Sequence, residues 1–169
     1  LLGSAPPDPA FTPPGTRAVA LIGPRGGRLW WDIVTASPEW ADAGPDPIDR
    51  WSVRVLGRIA EALGATALYP FGGPPYLPFH RWALPTGRVW ESPVRLLVGA
   101  EAGLWVSFRG ALALPFDLAL PAAPRPCDDC AGKPCLTACP AGALTGAGYD
   151  GPACHASPDT PAGSHCLAQ

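Results

Sequence analysis

Apolar residues recur at helical spacing in the first half of the chain. The positions that follow one another at steps of three and four residues are Ile48, Trp51, Val55, Ile59 and Leu63. Such spacing places side chains on one face of an α-helix. Asp46 and Pro47 are residue types favoured as the N-cap and first position of a helix, and Gly64 is favoured at its end. The pattern therefore predicts an amphipathic helix that begins after Asp46 and stops at Gly64.

Shorter apolar runs on both sides of this helix predict strands. The four segments are Arg17–Gly23, Ala65–Tyr69, Val94–Val98 and Leu104–Leu114. Their length and their glycine and proline flanks are typical of strands. A helix between strands that are partly joined as hairpins predicts an α+β fold. The GPRGG segment that ends the first strand does not match G-x-G-x-x-G, so we interpret it as an ordinary turn and not as a phosphate loop.

The composition divides the chain into two regions. Of its 169 residues, 24 are proline and 20 are glycine, but a hydrophobic content of 47%, seven tryptophans and a net charge of −2 exclude a disordered chain. Fourteen of the fifteen aromatic residues lie between Phe11 and Phe116, whereas all six cysteines lie between Cys127 and Cys166. We therefore predict an α+β body over residues 1–119 and a cysteine-rich, loop-rich module over residues 120–169, which relies on metal or disulfides because it has few large apolar groups.

Charge and hydropathy exclude two classes of partner. Lys133 is the only lysine and the arginines are scattered, whereas nucleic-acid binding needs a clustered basic surplus. The longest apolar stretches fall far short of the roughly 20 residues that a membrane-spanning helix requires. The chain also shows no secretory signal, so we expect a cytoplasmic protein without a nucleic-acid or membrane partner.

The cysteines carry the strongest chemical signal. Cys127, Cys130, Cys135 and Cys139 are separated by two, four and three residues, and Pro140 follows directly. Thiols in the cytosol stay reduced, which favours metal ligation over disulfides. Structural zinc usually takes two cysteine pairs a dozen or more residues apart, whereas closely spaced thiols that end in Cys-Pro are typical of ferredoxin-type [4Fe-4S] sites. Iron–sulfur is the favoured interpretation; zinc and inert or disulfide-paired thiols are the alternatives.

Cys154 and Cys166 are the further candidate ligands. Ferredoxin logic assigns the fourth cysteine of the run to a second cluster, but two clusters need eight thiolates and the sequence has six cysteines. One cluster with two spare thiols, a second site with other ligands, and further residues beyond the sequence are all open. His155 and His165 stand beside these cysteines, and we interpret them as solvated loop residues.

The body offers candidate cofactor-binding residues as well. His80, Arg81 and Trp82 end an aromatic loop that begins at Tyr69, and such a segment can line a pocket for a flat cofactor. Trp105 and Arg109 are four residues apart on a predicted strand and so share one face. The alternative for all five residues is a structural role.

Two segments resemble a known family. The tail CDDCAGKPCLTACPAGAL and the preceding SPVRLLVGAEAGLWVSFRGALAL are similar to the ferredoxin-type modules, and the segments just before them, of epoxyqueuosine reductases and reductive dehalogenases. The resemblance covers roughly residues 92–144. It implies a nitroreductase-like body and one or two [4Fe-4S] clusters that deliver electrons to a corrinoid. This body is shorter than the corrinoid-binding domain of that family, and no residue aligns with the acid that protonates substrate in the epoxyqueuosine enzymes.

The sequence thus predicts an iron–sulfur electron-transfer protein with a redox partner. One alternative is an oxidoreductase in which the module feeds a cobalamin or flavin on the body. Another is a binding module stabilised by zinc.

Overall fold

The computed structural model describes residues 1–25 and 28–157, and this part of the chain forms eight strands and five α-helices. The strands are β1 (Gly3–Ala5), β2 (Ala18–Ile22), β3 (Thr66–Leu68), β4 (Val89–Glu91), β5 (Leu97–Gly99), β6 (Gly110–Leu114), β7 (Leu144–Thr145) and β8 (Gly148–Tyr149). The α-helices are α1 (Arg28–Thr35), α2 (Pro38–Ala41), α3 (Pro47–Leu63), α4 (Phe79–Ala83) and α5 (Gly151–Ala156). Short 3₁₀ turns span Leu84–Thr86 and Pro134–Leu136.

An antiparallel sheet with the order β1-β2-β6-β3 forms the centre of the body. Strand β2 pairs with β6 along its whole length, so that Ala18 lies opposite Leu114 and Ile22 opposite Gly110. Both strands are buried on both faces because successive side chains point to opposite sides of a sheet. The fold is therefore mixed helix and strand, compatible with the predicted α+β class.

Each face of the sheet supports its own apolar cluster. The cluster on one face joins sheet residues to the α4 region and consists of Ala5, Val19, Leu21, Phe79, Trp82, Ala83, Val89 and Ala111. The cluster on the other face consists of Ala18, Ala20, Ala60, Leu112 and Leu114. Helix α3 thus covers the second face. The buried core of the body lies on the two faces of this sheet.

The bounds of helix α3 match the prediction, whereas its buried face differs. Gly64 follows the helix in the left-handed conformation with φ 61°, as expected of a terminating glycine. The residues that α3 buries are Ser52, Leu56 and Ala60, and not those of the predicted apolar stripe. Ile59 and Leu63 of that stripe remain 40% and 42% exposed.

Helix α3 buries the face that contains Leu56 because this face can approach the sheet closely at Gly110. A Cβ atom on Gly110 would stand 2.4 Å from Cδ1 of Leu56 and 2.9 Å from the Leu68 carbonyl oxygen. The absence of a side chain at Gly110 therefore lets Leu56 pack directly on β6. Helix packing at this distance needs small neighbours, and Ser52 and Ala60 supply them one turn before and after Leu56.

Two of the four predicted strands match β2 and β3, and the other two need correction. Strand β5 begins at Leu97, and Val94 is a buried residue of the turn between β4 and β5. Strand β6 begins at Gly110 and not at Leu104, because Gly103 adopts φ 57° and exchanges hydrogen bonds of 2.9 Å with Gly99. The chain turns there instead of continuing as a strand.

The longest of the described helices, α3, has 17 residues. None of the helices within residues 1–25 and 28–157 combines the length and the apolar character needed to cross a membrane.

Candidate metal centre

The connector between the body and the cysteines runs along the β4 side of the body. Two hydrogen bonds attach it to the body. The Ala123 N–H donates to the Gly87 carbonyl over 3.0 Å, and the Arg88 guanidinium donates to the Pro121 carbonyl over 3.1 Å. Arg125 then donates to the main-chain oxygen of Glu91 over 2.8 Å. These bonds hold the chain to the body up to two residues before Cys127.

The long middle gap of the cysteine run forms a tight turn. Gly132 and Lys133 both have positive φ, 69° and 41°, and the 3₁₀ turn Pro134–Leu136 follows. The Lys133 ammonium donates to the carbonyl oxygen of Cys127 over 2.8 Å. The two residues by which this gap exceeds the ferredoxin spacing are thus accommodated in a turn that is tied back to the first cysteine.

The sulfur of Cys139 is surrounded by backbone donors. The Ala143 N–H donates to Sγ over 3.3 Å. Desolvation raises the pKa of the Cys139 thiol, but hydrogen bonding from the backbone of Ala143, Ala141, Leu144 and Gly142 outweighs it and lowers that pKa below its ordinary value. Gly142 shapes this turn with φ 64°. The arrangement favours a thiolate at Cys139.

A small hairpin and a helix follow Cys139 directly. The Asp150 N–H donates to the carbonyl of the fully buried Ala143 over 2.8 Å, after strands β7 and β8 have paired. The Asp150 carboxylate then caps α5 by accepting from the Ala153 N–H over 3.0 Å. Cys154 lies on α5 and is half-buried. His155 is exposed, whereas His165 and Cys166 lie outside the described residues.

The described thiols form a donor set without a preformed site. All of them are free: Cys127, Cys130, Cys135, Cys139 and Cys154. No three cysteine, histidine, aspartate or glutamate side chains within residues 1–25 and 28–157 lie together so that they can hold a metal ion. By chemistry the set suits a thiophilic centre, since thiolates are the ligands of iron–sulfur clusters and of structural zinc. Ligation requires the turns between the cysteines to bring their sulfurs together.

Cations border the start of the cysteine run. A cleft of about 360 Å³ beside Cys127 is lined by the side chains of Arg95, Arg125 and Lys133, together with the carboxylates of Glu91 and Asp128. Glu91 is paired with Arg95 over 3.2 Å, and Asp128 lies 4.0 Å from Arg125. Each carboxylate thus has a cationic neighbour, and the Lys133 ammonium adds a further positive charge at the Cys127 carbonyl.

The three candidate residues on α4 are engaged within the body. Trp82 is buried in the core, and its indole N–H donates to the carboxylate of Asp8 over 3.3 Å. Arg81 forms an ion pair with the same carboxylate. His80 is exposed, with Nε2 3.7 Å from Oε1 of Glu91. The structure brings these residues together on one helix, where Trp82 and Arg81 fasten α4 to the N-terminal segment.

Trp105 and Arg109 do not share a strand face. Trp105 lies in the turn that follows β5 and is 80% exposed. The Arg109 guanidinium donates to Oδ1 of Asp49 over 2.6 Å and lies over the ring of Phe71 at 5.7 Å. Arg109 therefore ties the start of β6 to helix α3, and the two residues have separate surroundings.

Sequence reasoning missed the residues that accompany Trp105. Arg25 and Trp30 line a cleft of about 880 Å³ together with Trp105. Arg25 belongs to the GPRGG segment, and Trp30 begins a tryptophan pair. The sequence shows that both residues are present, but their proximity to Trp105 depends on the turn after β5, which the sequence did not predict.

Comparison of the chain with models of protein families, with curated proteins and with solved structures gives no match.

Proposed function

We propose that the chain is an iron–sulfur electron-transfer protein, whose module holds one or two [4Fe-4S] clusters. Cys127, Cys130, Cys135 and Cys139 are the principal ligands in this proposal, and Cys154 and Cys166 are the further ones. The observation that carries it is the concentration of four free thiols within one short segment, of which the last, Cys139, accepts backbone hydrogen bonds.

Backbone donors and nearby cations both favour such a centre over an inert set of thiols. Hydrogen bonds to the sulfurs and the local net charge are the main means by which a protein tunes the potential of a cluster. The Ala143 amide at Cys139 supplies the first, and the Lys133 ammonium, which donates to the Cys127 carbonyl, supplies positive charge. A bound cluster would supply one-electron chemistry. The Ala143 amide would stabilise the Cys139 thiolate, and the Lys133 ammonium would offset part of the negative charge of the thiolates.

The body has a supporting role in this proposal. The connector bonds of Arg88 and Arg125 hold the module against the β4 side, so the body presents the module to a redox partner protein. We propose a cytoplasmic setting because reduced thiols are needed for assembly. A nitroreductase-like arrangement of the body is the finer fold that the resemblance implies.

A reductase that uses a corrinoid or flavin on the body is the alternative implied by the same resemblance. In that alternative the candidate cofactor-binding residues of the body would hold the cofactor. Trp82 and Arg81 are instead engaged with Asp8, and Arg109 is engaged with Asp49. Electron transfer is therefore the function that these contacts support best.

Anaerobic reconstitution tests the proposal. The protein is incubated with ferrous iron and sulfide under reducing conditions, desalted, and followed by visible absorbance before and after dithionite. We expect a broad visible absorbance that decreases on reduction and returns on oxidation. In the Cys135→Ser variant this absorbance should be strongly reduced.

Ala138→Ser is the matched control, since it adds a hydroxyl to the same segment and leaves every thiol in place. It should reconstitute like the wild-type protein. A colourless protein that retains one zinc ion would contradict the iron–sulfur proposal and favour a zinc-stabilised binding module. Equal reconstitution of Cys135→Ser and Ala138→Ser would remove Cys135 from the ligand set.

A further inference from the structure

A cleft on the body stands apart from the cysteines. It lies between residues 23–25, which follow β2, Trp30 of helix α1 and the turn that follows β5, and its volume is about 880 Å³. The side chains that matter for its chemistry are Arg25, Trp30, Glu101 and Trp105. Its size falls within the range of small-molecule sites, roughly 300–1,000 Å³.

Trp105 lies exposed on a hydrogen-bonded turn. Its side chain is 80% exposed, which is unusual for so large an apolar group. The turn is fixed by the Trp105 N–H, which donates to the Ala102 carbonyl over 3.0 Å, and by the paired hydrogen bonds of Gly99 and Gly103. The exposed indole therefore lines the cleft and is not packed into the core.

Trp30 supplies a second aromatic wall in a defined orientation. Its ring packs edge-on against that of Trp51, with centroids 6.3 Å apart and an interplanar angle of 88°. Trp51 belongs to α3, so the contact fixes the Trp30 ring relative to the main helix of the body. Two tryptophans that line one cleft form surfaces on which a planar ring can stack.

The charged side chains that line the cleft are those of Arg25 and Glu101. The Glu101 carboxylate is paired with Arg88 over 2.7 Å. Arg25 is exposed and makes no ion pair or hydrogen bond within the described part of the chain. Its guanidinium, with a donor geometry that matches phosphate and carboxylate groups, is therefore available to an anion.

We propose that this cleft binds a planar aromatic anion of mononucleotide size. The ring stacks on Trp105 against the wall formed by Trp30, and the anionic group pairs with Arg25. The site is separate from the cysteine ligands, so its test does not depend on metal content.

Flavin mononucleotide and riboflavin are the probes, because they share one ring system and differ in the phosphate. Flavin fluorescence is titrated with the full protein at low and high salt. We expect saturable binding of flavin mononucleotide that weakens with salt, and weaker binding of riboflavin. Trp105→Ala should weaken flavin mononucleotide binding roughly 5- to 150-fold, the range for loss of one stacked ring. Trp105→Phe, which keeps a ring, should restore most of it.

Matched variants distinguish flavin binding in this cleft from binding elsewhere on the surface. Arg25→Gln should weaken flavin mononucleotide roughly two- to fivefold and leave riboflavin unchanged, whereas Arg58→Gln on the exposed side of α3 should change neither. Tyr76→Ala removes another exposed aromatic ring and should bind like the wild-type protein. Absence of saturable binding up to millimolar probe would overturn the proposal, as would binding that Trp105→Ala leaves unchanged.

Discussion

The main-chain N–H of Ala143 donates a hydrogen bond to the sulfur of Cys139 over 3.3 Å. Ala143 is fully buried and its carbonyl accepts from the Asp150 N–H, so the donor is fixed by the hairpin that follows. The sulfur consequently lies in a turn of backbone donors that stabilises its anionic form. This relationship links the folding of the β7–β8 segment to the ligand chemistry of the cysteine run.

The turn around Cys139 predicts a specific role for Gly142. Its φ of 64° costs a residue with a side chain about 1–2 kcal/mol, so Gly142→Ala should distort the turn and withdraw its amides from Cys139. We expect the variant, once reconstituted, to lose visible absorbance in air roughly 5- to 30-fold faster than wild type. Gly146→Ala is the control, since a Cβ there only contacts Leu136 at 3.9 Å. Equal rates for the two variants would contradict this role.

The buried face of α3 predicts unequal effects of two aliphatic truncations. Leu56 is 3% exposed and Ile59 is 40% exposed. Leu56→Ala should lower the free energy of unfolding by about 2–5 kcal/mol through the cavity that it leaves, and Ile59→Ala by less than about 1 kcal/mol. Urea unfolding followed by far-UV circular dichroism measures both. A larger loss for Ile59→Ala would show that the predicted stripe, and not Leu56, faces the core.

The comparison of α3 with its sequence pattern shows what periodicity can and cannot predict. Pro47 and Gly64 marked the helix correctly because start and stop signals are local. The buried face depends on a residue far away in the chain, Gly110, whose missing side chain admits Leu56. Small residues such as Ser52 carry no apolar signal, so the pattern favoured the neighbouring stripe.

The candidate metal centre, like helix α3, could be predicted only in part from the sequence. The spacing of the cysteines indicates thiol chemistry without any structure, and this assignment remains a prediction. The backbone donors to Cys139 and the bond from Lys133 to the Cys127 carbonyl depend on turns with positive φ that no side-chain pattern records. The extended strand predicted from Leu104 failed because two glycines, Gly99 and Gly103, pair across a turn.

An ion pair on the helical side of the body predicts a pH dependence of stability. The hydrogen bond from Arg54 lowers the pKa of Glu39 from 4.5 to about 2, and Nη2 of Arg54 lies 3.0 Å from Oε2 of Glu39. Because the folded-state pKa is depressed, this carboxylate stabilises the protein above pH 4.5, and its contribution is lost as the pH falls to about 2. Glu39→Gln should therefore lower the Tm at pH 7 and have little effect near pH 2.

Thermal unfolding between these pH values measures the effect. The exposed Glu61 on α3 forms no ion pair within the described residues, and Glu61→Gln serves as the control with an unchanged Tm. A Glu39→Gln deficit that persists undiminished near pH 2 would show that the residue stabilises the fold by packing and not by its charge.

The division of the chain predicts where metal removal acts. Residues 127–157 form turns, a hairpin of two-residue strands and the short helix α5, whereas β2 and β6 are buried in the sheet. In metal-free protein, amides after Pro126 should exchange with deuterium on the order of tenfold faster or more than after reconstitution, while those of β2 and β6 should not change. Equal protection of both regions in metal-free protein would contradict a metal-dependent module.

The amounts of iron, acid-labile sulfide and zinc bound per chain after anaerobic purification decide whether the protein holds an iron–sulfur cluster. The iron–sulfur account predicts about four iron and four sulfide for each cluster bound, with substoichiometric zinc, and a loss of both iron and sulfide in the Cys135→Ser variant. One zinc per chain without sulfide, or the absence of all three after anaerobic reconstitution, would contradict it.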